Sequence, residues 1–217
     1  MKKALYLLFV FISLSNLYSQ EFKKQLSIDV CECFNGFEDL EMKPFMTCMN
    51  ANMLNYEDEI QKLIVKDSVL SEYEQGVKLG KKLMFEMQQY LIQDCDKYYY
   101  FFDNLREESF IKMKNSFNEK KLDSINQLIL LKKSPNLLWQ RGNYYFSNNS
   151  FNEAERDYLE CLEMEPKYVQ ATLFLGWLNE RKGYYDKAIK FYEVVHDSYH
   201  IEEVILFIEI AKRKSKK

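Results

Sequence analysis

The sequence predicts an all-α protein in two parts, an N-terminal disulfide-stapled helical bundle followed by a short helical solenoid with a C-terminal capping helix. Three observations carry that prediction. Only 6 Gly and 3 Pro occur in 217 residues, fewer turn formers than a sandwich or a doubly wound sheet would use. Apolar residues make up 47% of the chain and recur at helical spacing. Residues 135–168 and 169–202 align without a gap at a period of 34. The balance of 47% apolar and 29% charged residues excludes a disordered chain. A net charge of −3 supplies no general basic field for nucleic acid.

Taken in order, Met1-Lys2-Lys3 is a basic start followed by an apolar run from Ala4 to Ile12. That run is too short for a bilayer span of about 20 residues and suits the apolar region of a secretory signal peptide. Residues 1–19 are therefore expected to be a signal peptide, with cleavage after Ser19 or Ser15 and a periplasmic or secreted mature protein. Membrane contact is expected to be at most peripheral.

Residues 20–103 form the expected Cys-rich helical domain. Phe22, Leu26, Val30, Cys33 and Phe37 mark a first amphipathic helix. Pro44 suits the first turn of a second, whose stripe is Phe45, Cys48, Met49 and Met53. A later helix carries Tyr73, Val77, Met84, Met87, Leu91 and Cys95. Cys31, Cys33, Cys48 and Cys95 are the expected disulfide cysteines, in keeping with an oxidising compartment. Cys31 and Cys33 lie on opposite sides of one helix and should not pair with each other. Two connectivities remain, Cys31–Cys95 with Cys33–Cys48, or Cys31–Cys48 with Cys33–Cys95. The neighbouring stripes of Cys33 and Cys48 favour the first. An alternative use of the same region is soft-metal (copper) or redox chemistry, because Met42, Met46, Met49 and Met53 line one helical face beside Cys48, with Cys31 and Cys33 near. Stripes of this kind are more often core filler. Tyr98 to Phe102 is a run of five aromatics with flanks that are not basic, which suits packing better than a nucleic-acid platform.

Residues 104–134 read as connecting helices or a degenerate repeat, with Phe110, Leu122, Ile125, Ile129 and Leu130 at helical spacing. In the two 34-residue units Gly142 recurs as Gly176, Phe151 as Tyr185, Ala154 as Ala188 and Tyr158 as Tyr192. Small residues let paired helices approach, and aromatic residues fill the space beside them. A unit of this size cannot bury its apolar face alone, so units must stack. Residues 203–217 supply a capping helix, with Val204, Phe207, Ile208 and Ala211 inward, and a basic tail.

The two units resemble tetratricopeptide repeats. Gly142, Tyr145, Ala154, Tyr158 and Pro166 occupy signature places in the first, with Cys161 in place of a small alanine. Leu175, Gly176, Gly183, Ala188 and Tyr192 do so in the second, where Asn179 replaces the usual Tyr and His200 the usual Pro. The resemblance implies a groove lined by the first helix of each unit and a protein ligand held there. The matching positions are Asn136, Trp139, Asn143 and Phe146, then Gln170, Leu173, Trp177 and Glu180. Of the family's carboxylate clamp only Asn143 survives, so the resemblance implies a peptide or an amphipathic helix gripped by apolar contacts rather than a captured C-terminus. The expected function is a non-catalytic interaction module or assembly adaptor in the bacterial cell envelope, with a protein partner, no cofactor, no small-molecule substrate, no nucleic acid and a possible homo-oligomer. No Gly-x-Ser-x-Gly, His-Glu-x-x-His or Walker-type motif occurs, and 2 His in the chain leave little general-base chemistry. His196 and His200, one turn apart, read as surface or capping residues.

Overall fold

A computed structural model of the protein describes residues 20–64 and 69–216. The expected signal peptide lies outside these residues. All regular structure among them is helical. The chain divides into two compact units between Phe101 and Phe102.

The first unit holds α1 (20–35), α2 (Met42–Asn55), α3 (Glu57–Gln61), α4 (Glu72–Asp94) and the first part of α5 (Asp96–Asn115). Its core differs from the expected stripe at one telling place. α1 buries Phe22, Leu26, Val30 and Phe34, a run at strict i, i+4 spacing, whereas Phe37 follows the helix end and is exposed. Phe34 meets Phe45 of α2 and Phe101 edge-on, with ring centroids 5.8 and 6.0 Å apart, and Tyr98 lies 4.8 Å from Phe45. α4 starts on a capping box. The Ser71 hydroxyl accepts the Glu74 amide N–H and the Glu74 carboxylate accepts the Ser71 N–H, which pins the N-terminus of a 23-residue helix. Its first turns project outward, so Tyr73 and Val77 are exposed, and burial begins at Leu83 and continues through Met87, Leu91 and Ile92.

Two disulfides staple this unit: Cys31–Cys95, spanning 64 residues, and Cys33–Cys48, spanning 15. Cys31 and Cys33 point to different neighbours from nearly opposite sides of α1, which is why both bridges can leave one short stretch of helix. Tyr56 adds a polar tie by donating to Asp29 at 2.5 Å, and that hydrogen bond, with burial and the Asp29 charge, pushes its phenol up to about 12.

The second unit holds the rest of α5, then α6 (Glu119–Leu131), α7 (Pro135–Ser147), α8 (Phe151–Met164), α9 (Val169–Arg181), α10 (Tyr185–Tyr199), a 3-10 turn at Glu202–Val204 and α11 (Ile205–Ser215). α7 packs on α8 and α9 on α10, α8 joins the two pairs, α6 lies on α7 and α11 closes the far end on α10. Ser134 caps α7 by accepting the Leu137 N–H, and Pro135 takes its first position, where the missing donor costs nothing.

Each pair is set by one glycine and one tyrosine. A Cβ at Gly142 would lie 2.5 Å from the Tyr158 ring, and one at Gly176 would lie 2.4 Å from the Tyr192 ring. Both tyrosines are fully buried, so the rings have nowhere to retreat. The turn inside each pair is also conserved in shape. Asn149 (φ 61°) and Gly183 (φ 79°), one repeat period apart, both adopt the left-handed conformation that closes the α7–α8 and α9–α10 hairpins.

Candidate interaction face

The first helices of the two repeats, α7 and α9, present the residues that the sequence marks as a binding groove. The structure divides those eight residues. Asn136 and Gln170 are exposed, and Trp139, Leu173 and Trp177 are half-buried. Asn143, Phe146 and Glu180 are buried, and this corrects their expected role as open groove contacts. For Phe146 and Glu180 the physical reason is α5. Phe110 on that helix sets its ring edge-on to Phe146, 5.3 Å between centroids, and 6.2 Å from Trp177. The guanidinium of Arg181 covers Phe110 at 3.9 Å. Asn143 is held inside its own repeat, where it accepts the Tyr158 hydroxyl at 2.8 Å.

Glu180 anchors a buried charge cluster that sequence reading missed. Arg106 of α5 donates through both terminal nitrogens to the two Glu180 oxygens, at 2.9 and 2.8 Å. The Tyr192 hydroxyl donates to the same carboxylate at 2.9 Å, and Lys214 of α11 reaches Glu180 at 3.1 Å and Asp103 at 2.8 Å. Four elements, α5, α9, α10 and α11, thus meet on one carboxylate. Burial opposes the Glu180 charge, but Arg106, Lys214 and the Tyr192 hydroxyl outweigh it and hold the carboxyl below its ordinary value of 4.5. Burial likewise opposes the charges on Arg106 and Lys214, and their acidic neighbours outweigh it and raise both. Lys214, which the sequence places in the basic tail, is therefore a structural cation. A signal for the cluster did exist in the sequence. Glu180 falls in register with the apolar Phe146 of the first repeat, and a carboxylate at an apolar register position calls for a cation.

The two repeats satisfy their buried tyrosine by different means. Tyr158 donates to Asn143, and Tyr192 donates to Glu180, which stands one turn later in the repeat register. The first repeat has its own ion pair, Arg141 with the fully buried Asp157, joined by two bonds of 2.7 Å, with Asn126 of α6 accepting from the same guanidinium.

Beside α5 a mostly apolar cleft of about 230 Å³ remains open, lined by Leu105, Arg106 and Ser109 of α5, by Leu173, Phe174 and Trp177 of α9, and by Phe207 of α11. Trp139 packs near Tyr168 and edge-on to Phe174, 5.8 Å between centroids, and its buried indole N–H has no acceptor among the described residues.

The remaining candidate features have structural placements. Cys31, Cys33 and Cys48 are closed in disulfides, so none stands as a thiolate beside the Met residues. Of those, Met49 is buried, Met46 and Met53 are half-buried and Met42 is exposed. Among the described residues no group of three or more His, Cys, Asp or Glu could share a metal ion. Cys161 is buried against the repeat core, and burial pushes its thiol up to about 11, far from a reactive thiolate. His196 bonds Asp197 at 2.7 Å, and His200 ends α10 in the left-handed conformation at φ 55°.

The helical pairs, the Gly–Tyr contacts and the repeated left-handed turns define a tetratricopeptide-type solenoid. The family's sequence profile matches residues 135–168 and 169–193, and the chain carries tetratricopeptide repeats there. Such repeats are, as a class, protein–protein interaction modules and typically non-catalytic. No curated protein and no solved structure matches the chain.

Proposed function

We propose that this chain is an exported, non-catalytic adaptor of the cell envelope that holds a helix of a protein partner against the α7/α9 face. The observation that carries this reading is the apolar cleft along α9. At about 230 Å³ it is smaller than the roughly 300–1,000 Å³ of small-molecule sites, and its lining is mostly apolar and aromatic, with Arg106 and Ser109 of α5 at its polar edge. A space of that size and chemistry suits one bulky apolar side chain of a partner, the kind of anchor that dominates interface energetics. Two disulfides accord with an oxidising extracytoplasmic compartment, and no helix among the described residues is long and apolar enough to cross a membrane.

The test is capture from envelope extract with the full mature chain, alongside Leu173→Glu, which places a charge on the half-exposed cleft wall. A partner retained by the wild type and lost by a Leu173→Glu protein with native helical circular dichroism supports the reading. Equal retention by both overturns it.

A further inference from the structure

The second half of α5 reaches the α7/α9 face through the side chains of Arg106 and Phe110. Its two anchors, Arg106 and Phe110, are four residues apart and so share one side of the helix. Arg106 enters an aromatic slot with its guanidinium 5.7 Å from the Trp177 ring and 4.8 Å from that of Phe207, and forks onto Glu180. Phe110 seats against both Phe146 and Trp177. The complementarity is one of charge as well as shape, a buried carboxylate on α9 facing a cation on α5.

Two properties separate this contact from ordinary core packing. A buried ion pair fixes which groups meet but contributes little net stability compared with apolar residues of the same volume. An apolar cleft of about 230 Å³ also stays open to solvent along the edge of α5, so the floor beneath the helix extends beyond what the helix covers. A helix seated by a specific polar lock over an incompletely covered apolar floor has the character of a replaceable ligand.

We propose that the second half of α5 is an internal plug, standing in the groove where a partner helix binds. The partner then presents the same pair to the same floor: a cation to Glu180 and, four residues on, an aromatic ring to Phe146 and Trp177. The proposal rests on the groove reading above and specifies its occupant and its regulation, since the partner competes with a tethered helix whose effective concentration is of millimolar order.

The test uses the full mature chain and a fluorescein-labelled peptide of residues 102–115 with blocked ends. Binding is read by fluorescence anisotropy to the wild type and to the double variant R106S/F110A, whose own plug lacks both anchors. The expected result is at least tenfold tighter binding to the variant. A peptide with glutamate in place of its arginine is expected to lose that gain. A variant with native near-ultraviolet circular dichroism that binds no tighter than the wild type overturns the proposal. So does equal binding of the glutamate peptide. Should R106S/F110A fail to fold, F110A alone keeps the ion cluster and is expected to bind at least threefold tighter, and an unchanged affinity there overturns the plug. The two readings fail separately. Envelope capture that depends on Leu173 with no gain in peptide binding removes the plug and leaves the adaptor, whereas a peptide gain with no envelope capture removes the adaptor.

Discussion

Replacing Glu180 by Gln removes one charge from the centre of the C-terminal unit and little volume. In the wild type the cluster is balanced, with Arg106 and Lys214 against Glu180 and Asp103. In the variant two cations face one carboxylate, and the new amide presents a donor where four donors already converge. Removing one partner of a buried pair costs about 3–5 kcal/mol because the other charge stays desolvated and uncompensated. For a unit of this size that corresponds to a fall of roughly 10–20 °C in melting temperature, at about 4 °C per kcal/mol. Thermal unfolding followed by circular dichroism at 222 nm, with the disulfides intact, measures it. The informative control is the triple variant R106M/E180L/Y192F, which replaces the carboxylate, its forked cation and its hydroxyl donor by apolar groups while Asp103 keeps Lys214. It is expected within about 2 kcal/mol of the wild type. A loss below about 1 kcal/mol in E180Q, or a triple variant as damaged as the single, would refute the view that uncompensated charge is what the cluster guards against. The pH dependence gives an independent check of sign. The Glu180 pKa is depressed in the folded state, so its contribution is fully present above 4.5 and fades as pH falls below that value toward the folded pKa. E180Q should therefore lose stability less steeply than the wild type below pH 4.5.

Three further outcomes follow from the geometry. Gly142→Ala and Gly176→Ala each gain helix propensity of about 1 kcal/mol but drive a methyl into a buried tyrosine ring, and a net loss of about 1–3 kcal/mol is expected in urea unfolding. A neutral or stabilising result would mean that the rings can move. Gly183→Ala meets no neighbouring atom within 4 Å, so its cost is the left-handed backbone alone, about 1 kcal/mol, and Asn149→Gly at the equivalent turn should stabilise by a few tenths. Replacing Cys31 and Cys95 by Ala should cost about 4 kcal/mol and replacing Cys33 and Cys48 about 3, because the longer bridge removes more freedom from the unfolded chain. Equal losses in thermal unfolding would point to strain or residual structure instead.

Local pattern determined much of this protein without reference to tertiary structure. Helix content follows from periodicity and scarce Gly and Pro. The repeat register follows from Gly142/Gly176 and Tyr158/Tyr192, which recur because each close helix crossing needs the same small and large pair. The sides of α1 on which Cys31 and Cys33 stand exclude a bridge between those two, and the neighbouring stripes of Cys33 and Cys48 favour the pairing that the structure shows. Spacing alone misjudged Phe34 against Phe37, since it did not fix where α1 stops before the turn at Gly36.

What only the tertiary structure decided is the fate of the face that α7 and α9 share. Phe146 and Glu180 carry the register of groove residues, and register is a local property. Whether that face meets solvent or another helix depends on α5, whose contacts with Glu180 are made across 74 residues of sequence. Periodicity records which side of a helix is apolar. It carries no information about which distant segment covers that side, because that choice is made by the packing of whole elements and by the need of a buried carboxylate for a cation.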